Sequence, residues 1–200
     1  MYKLKILLTH GAGAGTESNW FDLLSRGLIS VGAELRLFDF EYMKEMKRSE
    51  RRRPPSRFPN LVEEFKNEVM NEDPNMPLII GGKSMGGRVS TQVASCSQVV
   101  GVVLFGYPFH ALGKDMDERR VDQLVSCEKP TLIFQGKKDK MGSYEEVAKL
   151  DLPKNIEMFW VDGVGHDLVS GKDLKSSNNQ PFMKFSEKLS SWFEEIIKNH

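Results

Sequence analysis

The chain of 200 residues balances 28 Lys and Arg against 28 Asp and Glu, and 40% of it is hydrophobic. That length supports one sizeable core and hence a single domain over 1–200, while zero formal charge supplies no bulk attraction for nucleic acid or an anionic membrane. The opening MYKLKILLTH is too short an apolar stretch for a signal region or a spanning helix, so a soluble cytoplasmic protein is expected.

The first predicted strand, KLKILLTH, runs into a glycine-rich turn, HGAGAGT. A helix follows over SNWFDLLSRGLISVG, with Ser18 as its N-cap. AELRLFDF reads as the second strand. Glu41 to Arg57, EYMKEMKRSERRRPPSR, holds seven basic and three acidic side chains and reads as a surface excursion too polar for the core. NLVEEFKNEVMNED has helical spacing, and strand PLIIGG then meets KSMGG. VVGVVLFG, PTLIFQG and NIEMFWVDG are further strands, and PFMKFSEKLSSWFEEIIKNH is a core-facing helix with Pro181 at its start.

The runs lack the in/out alternation of half-exposed strands, which suits a parallel sheet covered on both faces. Strand and helix alternate, so the fold class is α/β: a three-layer α/β/α sandwich with a mostly parallel sheet of about six strands. In such sheets ligands bind beyond the carboxyl ends of the strands. His10, Ser84, Tyr107, Asp139 and His166 all follow apolar runs and gather at that edge.

Gly82-Lys83-Ser84 looks like the end of a phosphate loop, but GxxxxGK[ST] needs glycine where Pro77 stands. HGAGAGT looks like part of a dinucleotide fingerprint, with Asp39 placed for a ribose, yet GxGxxG needs glycine where Thr16 stands. Gly82-x-Ser84-x-Gly86 fits a third pattern, the nucleophile elbow, at a strand-to-helix junction. There the serine is forced into a strained turn, and glycines two residues to either side remove the Cβ atoms that would collide.

A serine hydroxyl is a weak nucleophile and needs a base and an orienting acid. Asp139 follows PTLIFQG and His166 follows NIEMFWVDG, giving the chain order Ser, Asp, His; of the four histidines, His10 and His110 precede the acid and His200 is the last residue. Asp162 and Asp167 lie too close to His166 to come from the preceding strand's loop and read as solvated carboxylates. The backbone N–H of Met85, at the start of a helix, is expected to face a developing oxyanion. HGAGAG resembles the HG-x-G oxyanion loops of esterases, a resemblance that implies the Ala12 N–H as the second donor.

With these pieces in place the chain resembles the α/β-hydrolase superfamily. HGAGAG, RRRPP, GGKSMGGR, FGYPFH, PTLIFQGKKD and GVGHDL together resemble a small group within it that includes bacterial hydrolase-like proteins, a testis-expressed animal protein and a subunit of a histone acetyltransferase complex. The resemblance implies a triad of Ser84, Asp139 and His166. The sequence departs from the superfamily in lacking its usual first two strands, beginning at the strand before the oxyanion loop, and in having no insertion large enough for a folded cap. A minimal fold with no cap domain is therefore expected.

The expected activity is hydrolysis of a small acyl substrate, a carboxylic ester or relative, with no metal or organic cofactor, by a monomer or weak homodimer. Gly11, Tyr107 and His110 are expected to border the substrate, Tyr107 either donating to it or simply packing. Arg51, Arg52 and Arg53 either clamp an anionic substrate or form a solvated loop. Two rival functions carry different signatures: a catalytically silent interaction module would leave Ser84 unreactive, and an oxidoreductase would bind NADH or NADPH at GAGAG.

Overall fold

The computed structural model describes residues 5–176 and 178–198. Six parallel strands form one sheet: β1 (Lys5–Thr9), β2 (Glu34–Phe38), β3 (Leu78–Lys83), β4 (Val99–Phe105), β5 (Thr131–Gly136) and β6 (Ile156–Val161). Their spatial order is β2-β1-β3-β4-β5-β6. Ile6, Leu8, Ile79 and Leu132 face one side of the sheet and Leu7, Ile80, Val102 and Ile133 the other, all fully or almost fully buried. Burial on both faces is why these runs are apolar without alternation.

Helices α1 (Asn19–Ser30) and α8 (Gln180–Lys198) cover the first face. The second carries α2 (Glu41–Ser49), α3 (Phe58–Met70), α4 (Met85–Val93) and α5 (Glu118–Val125). Short α6 (Tyr144–Val147) and α7 (Gly171–Lys175) follow β5 and β6. The chain moves outward from β1 to β2 and then crosses back to β3, so direction reverses between β1 and β3. Right-handed crossovers put helices on opposite faces at such a reversal, and the loops after β1 and β3 part there to leave a crevice.

Two expectations change. Ser18 is the N-cap of α1 by position, but its side chain caps nothing; its carbonyl accepts from Asp22 N instead. The polar excursion after β2 is half structured: Glu41–Ser49 is helical, and Tyr42 and Met43 enter the second core cluster. An amphipathic turn placed two apolar side chains inward despite its charge. Arg51, Arg52 and Arg53 are exposed, as a solvated loop would be, and Arg53 pairs with Glu45 at 2.9 Å.

Candidate active site

Ser84 is the single residue between β3 and α4, with φ 53° and ψ −115°. It is held in this left-handed conformation from both sides: its N–H donates to Phe105 O on β4 at 3.0 Å, and its carbonyl accepts from Arg88 N at 3.2 Å in the first turn of α4. A Cβ at Gly86 would come within 2.6 Å of His10 O, and one at Gly82 within 2.5 Å of Thr9 O. The elbow thus packs against the end of β1 with no room for a side chain.

The loops after β5 and β6 pass in contact, since a Cβ at Gly136 would sit 2.3 Å from Gly165 O. That approach brings Asp139 and His166 together. His166 Nδ1 lies 2.8 Å from Asp139 Oδ2, and Nε2 lies 2.8 Å from Ser84 Oγ. An ionised carboxylate only accepts, so the imidazole proton belongs on Nδ1 and Nε2 is left to accept from the serine hydroxyl. Asp139 is fully buried, and it accepts two further bonds, from Met141 N at 2.9 Å and Gln135 Nε2 at 3.0 Å. Three donors compensate its desolvation.

The turn after β1 forms the facing wall. His10 is fully buried, with Nδ1 2.7 Å from Gly11 O and Nε2 accepting from Phe40 N at 3.2 Å. Burial lowers its pKa below the usual 6.5, more than the bond to Gly11 and the Asp39 charge raise it. The neutral ring is therefore a fixed strut between this turn and the end of β2. Tyr42 Oη lies 3.3 Å from both Gly11 O and Ala12 O, and Asp39 accepts from Thr16 N at 2.8 Å. The Gly11 and Ala12 carbonyls are thereby engaged by buried side chains behind the turn. Asp39 is also bonded to Lys47 at 2.6 Å, so the acid that a ribose would need is already engaged.

A cavity of about 350 Å³ opens beside Ser84 and His166. Gly11, Ala12, Gly13 and Ala14 line it from the turn, with Trp20, Phe21, Met141 and Leu174 supplying apolar walls. A larger one, of about 450 Å³, lies between β6 and α8 under Trp160 and Phe185, away from the serine. Tyr107 and His110 line neither. Tyr107 is fully buried, its hydroxyl donating to Arg120 O at 2.7 Å and its N–H to Gln135 Oε1 at 2.8 Å, so it packs beneath the site. His110 turns instead toward a neighbouring cavity behind Asp139, with Nε2 3.4 Å from Glu146 Oε1. Arg51, Arg52 and Arg53 do not line the cavity beside Ser84.

The parts played by three residues escaped sequence reasoning. Gln135 is fully buried and joins Tyr107, Asp139 and Gly142; its one trace is a polar residue inside the apolar run TLIFQG. Lys83 and Asp167, neighbours in sequence of Ser84 and His166, form a 2.8 Å ion pair on the cavity wall. Burial works to raise the Asp167 carboxyl, but the Lys83 hydrogen bond and charge, with His166 adding to them, bring it below the ordinary value. A contact 84 residues apart leaves no local pattern. Among the described residues no three His, Cys, Asp or Glu side chains could hold a metal ion, and no helix is long and apolar enough to cross a membrane.

No curated protein matches the chain in sequence. Solved structures share its fold at low identity. The esterase domain of a Rhodothermus marinus protein superposes with a TM-score of 0.65 at 19% identity, over 94% of this chain and 85% of that one. An alpha-beta serine hydrolase homologue from Coxiella burnetii gives 0.66 at 17%, over 91% and 84%. Est1E from Butyrivibrio proteoclasticus gives 0.65 at 15%, over 98% and 89%. The family model described as alpha/beta hydrolase domain matches residues 2–194, nearly the whole sequence, and by that match the chain belongs to the alpha/beta hydrolase family.

Proposed function

We propose that the protein is a serine hydrolase of carboxylic esters or related acyl compounds. The observation that carries this reading is the unbroken relay from Asp139 through His166 to Ser84, 2.8 Å at each step, with the serine on a left-handed elbow. Ser84 Oγ attacks the carbonyl carbon while His166 Nε2 takes the hydroxyl proton, and Asp139 stabilises the imidazolium. The Met85 and Ala12 N–H groups hold the oxyanion, the first at the N-terminus of α4. His166 returns its proton to the leaving group as the carbonyl re-forms, and water, deprotonated by the same histidine, then cleaves the acyl-enzyme. The motifs RRRPP, GKSMGGR and GYPFH further suggest kinship with the small group that includes a testis-expressed protein and an acetyltransferase-complex subunit. The reading takes the protein as a cytoplasmic monomer or weak homodimer.

Labelling by a fluorophosphonate, with mass mapping of the adduct, tests the proposal. Stoichiometric modification at Ser84 is expected in the native protein and its loss in Ser84→Ala. His166→Ala is expected to slow labelling by at least about a thousandfold. A folded native protein that takes no label would overturn the reading in favour of a hydrolase-fold interaction module.

A further inference from the structure

The cavity beside Ser84 is lined by apolar side chains and backbone, and besides His166 its titratable lining groups are Lys83 and Asp167. The two are not equivalent. The Lys83 side chain is 15% exposed and the Asp167 side chain 62%. An ammonium so enclosed needs a counter-charge, because desolvation without one is costly. The carboxylate at the rim is already largely hydrated, so an incoming anion that takes its place on the ammonium releases it into water at little cost. The surroundings contact the cation but leave its partner's carboxylate to solvent. Trp20 presents its ring face to Lys83 Nζ at 5.7 Å, and its indole N–H donates to Asp167 O at 2.8 Å, fixing the main chain but not the carboxylate.

We propose that Lys83 is the specificity residue of the site, binding a negatively charged group on the acyl substrate that takes the place of Asp167 on its ammonium. This rests on the hydrolase reading. It also moves the anion-binding role from the exposed arginines to a lysine directly preceding the nucleophile. Free protein keeps Lys83 neutralised by Asp167. A neutral substrate leaves that pair closed, and an anionic one exchanges one carboxylate for another with no buried charge left alone. A cationic substrate would have to draw Asp167 away and strand the more enclosed member of the pair, so it is selected against.

The test uses matched p-nitrophenyl esters of short acids ending in carboxylate, carboxamide or ammonium. In native protein kcat/KM for the carboxylate ester is expected to exceed that for the carboxamide by about tenfold, and to do so less at high salt. In Lys83→Met that ratio falls to near one, Lys83→Arg restores it, and Asp167→Asn, with the internal competitor gone, raises it by a few-fold. An unchanged ratio in Lys83→Met, a native ratio near one, or a preference for the ammonium ester would overturn the proposal. Binding of a short dicarboxylate to Ser84→Ala protein, followed by the chemical shifts of Lys83 and the Trp20 indole, separates the two levels. Fluorophosphonate labelling with no dicarboxylate binding rejects the role of Lys83 alone. Lys83-dependent binding without labelling rejects the hydrolysis and retains the anion site.

Discussion

Ser84 sits at φ 53° with a Cβ attached, a conformation that costs an L-residue of order 1–3 kcal/mol. That strain is separable from the chemistry. Ser84→Ala and Ser84→Gly both remove the hydroxyl, but only the glycine relieves the backbone. After allowance for the extra chain entropy of glycine when unfolded, Ser84→Gly is expected to be the more stable by about 1 kcal/mol in urea denaturation. Equal midpoints would mean that the elbow is unstrained. His10 offers a second residue-level prediction. Its folded-state pKa lies below the unfolded 6.5 because burial outweighs the Asp39 charge 3.5 Å away and the bond to Gly11. The folded protein then binds fewer protons than the unfolded chain, so stability is full above 6.5 and declines as pH falls through the folded value. Unfolding free energies measured from pH 8 to pH 5 should drop by up to about 1.4 kcal/mol per pH unit from this proton. His10→Asn, which cannot take up that proton, should lose this contribution.

Among the elements, the strand–turn–helix of β3 and α4 is a tight joint. A Cβ at Gly86 would meet two backbone oxygens, His10 O at 2.6 Å and Thr9 O at 2.7 Å, and neither belongs to a flexible side chain. Gly86→Ala is therefore expected to cost about 1–3 kcal/mol, and to slow fluorophosphonate labelling by pushing the turn after β1 away from Ser84. Gly171, at the first turn of α7, has open space where its Cβ would be, and Gly171→Ala should stay within about 0.5 kcal/mol of native. Similar losses for both would contradict the packing described. The same joint explains what the sequence could reveal. The six strands are readable because burial on both faces makes each a continuous apolar run, and Ser84, Asp139 and His166 because each follows such a run. Side-chain direction is not readable in that way. Tyr107 leaves β4 at the correct edge but turns inward to Arg120, and α2 hides Tyr42 and Met43 within a segment of mostly charged residues. Lys83 was legible only as a false phosphate loop, because its partner arrives from the loop after β6, three strands away in the sheet.

At the scale of the whole molecule, the cluster on the first face joins both ends of the described chain, from Ile6 on β1 to Ile196 on α8. The two helices of that face approach closely where Gly27 of α1 meets α8, since a Cβ there would lie 2.5 Å from Ser186 Oγ. Trp192 lies over Gly101 of β4, its Cη2 2.8 Å from where a Cβ would be, and is 4% exposed. Removing that indole from between α8 and the sheet leaves a cavity that backbone on both sides cannot close. Trp192→Ala is therefore expected to cost about 3–5 kcal/mol. Ser84, Asp139 and His166 come from the loops after β3, β5 and β6, all anchored in the same sheet, so their arrangement has no independent support once that face opens. Loss of far-ultraviolet ellipticity and loss of Ser84 labelling should then fall on one denaturation curve in native protein, and both should move to lower denaturant together in Trp192→Ala. If labelling survived past the main transition, or vanished well before it, the site would be stabilised apart from the α8 face, and the single cooperative unit inferred from the shared core would be wrong.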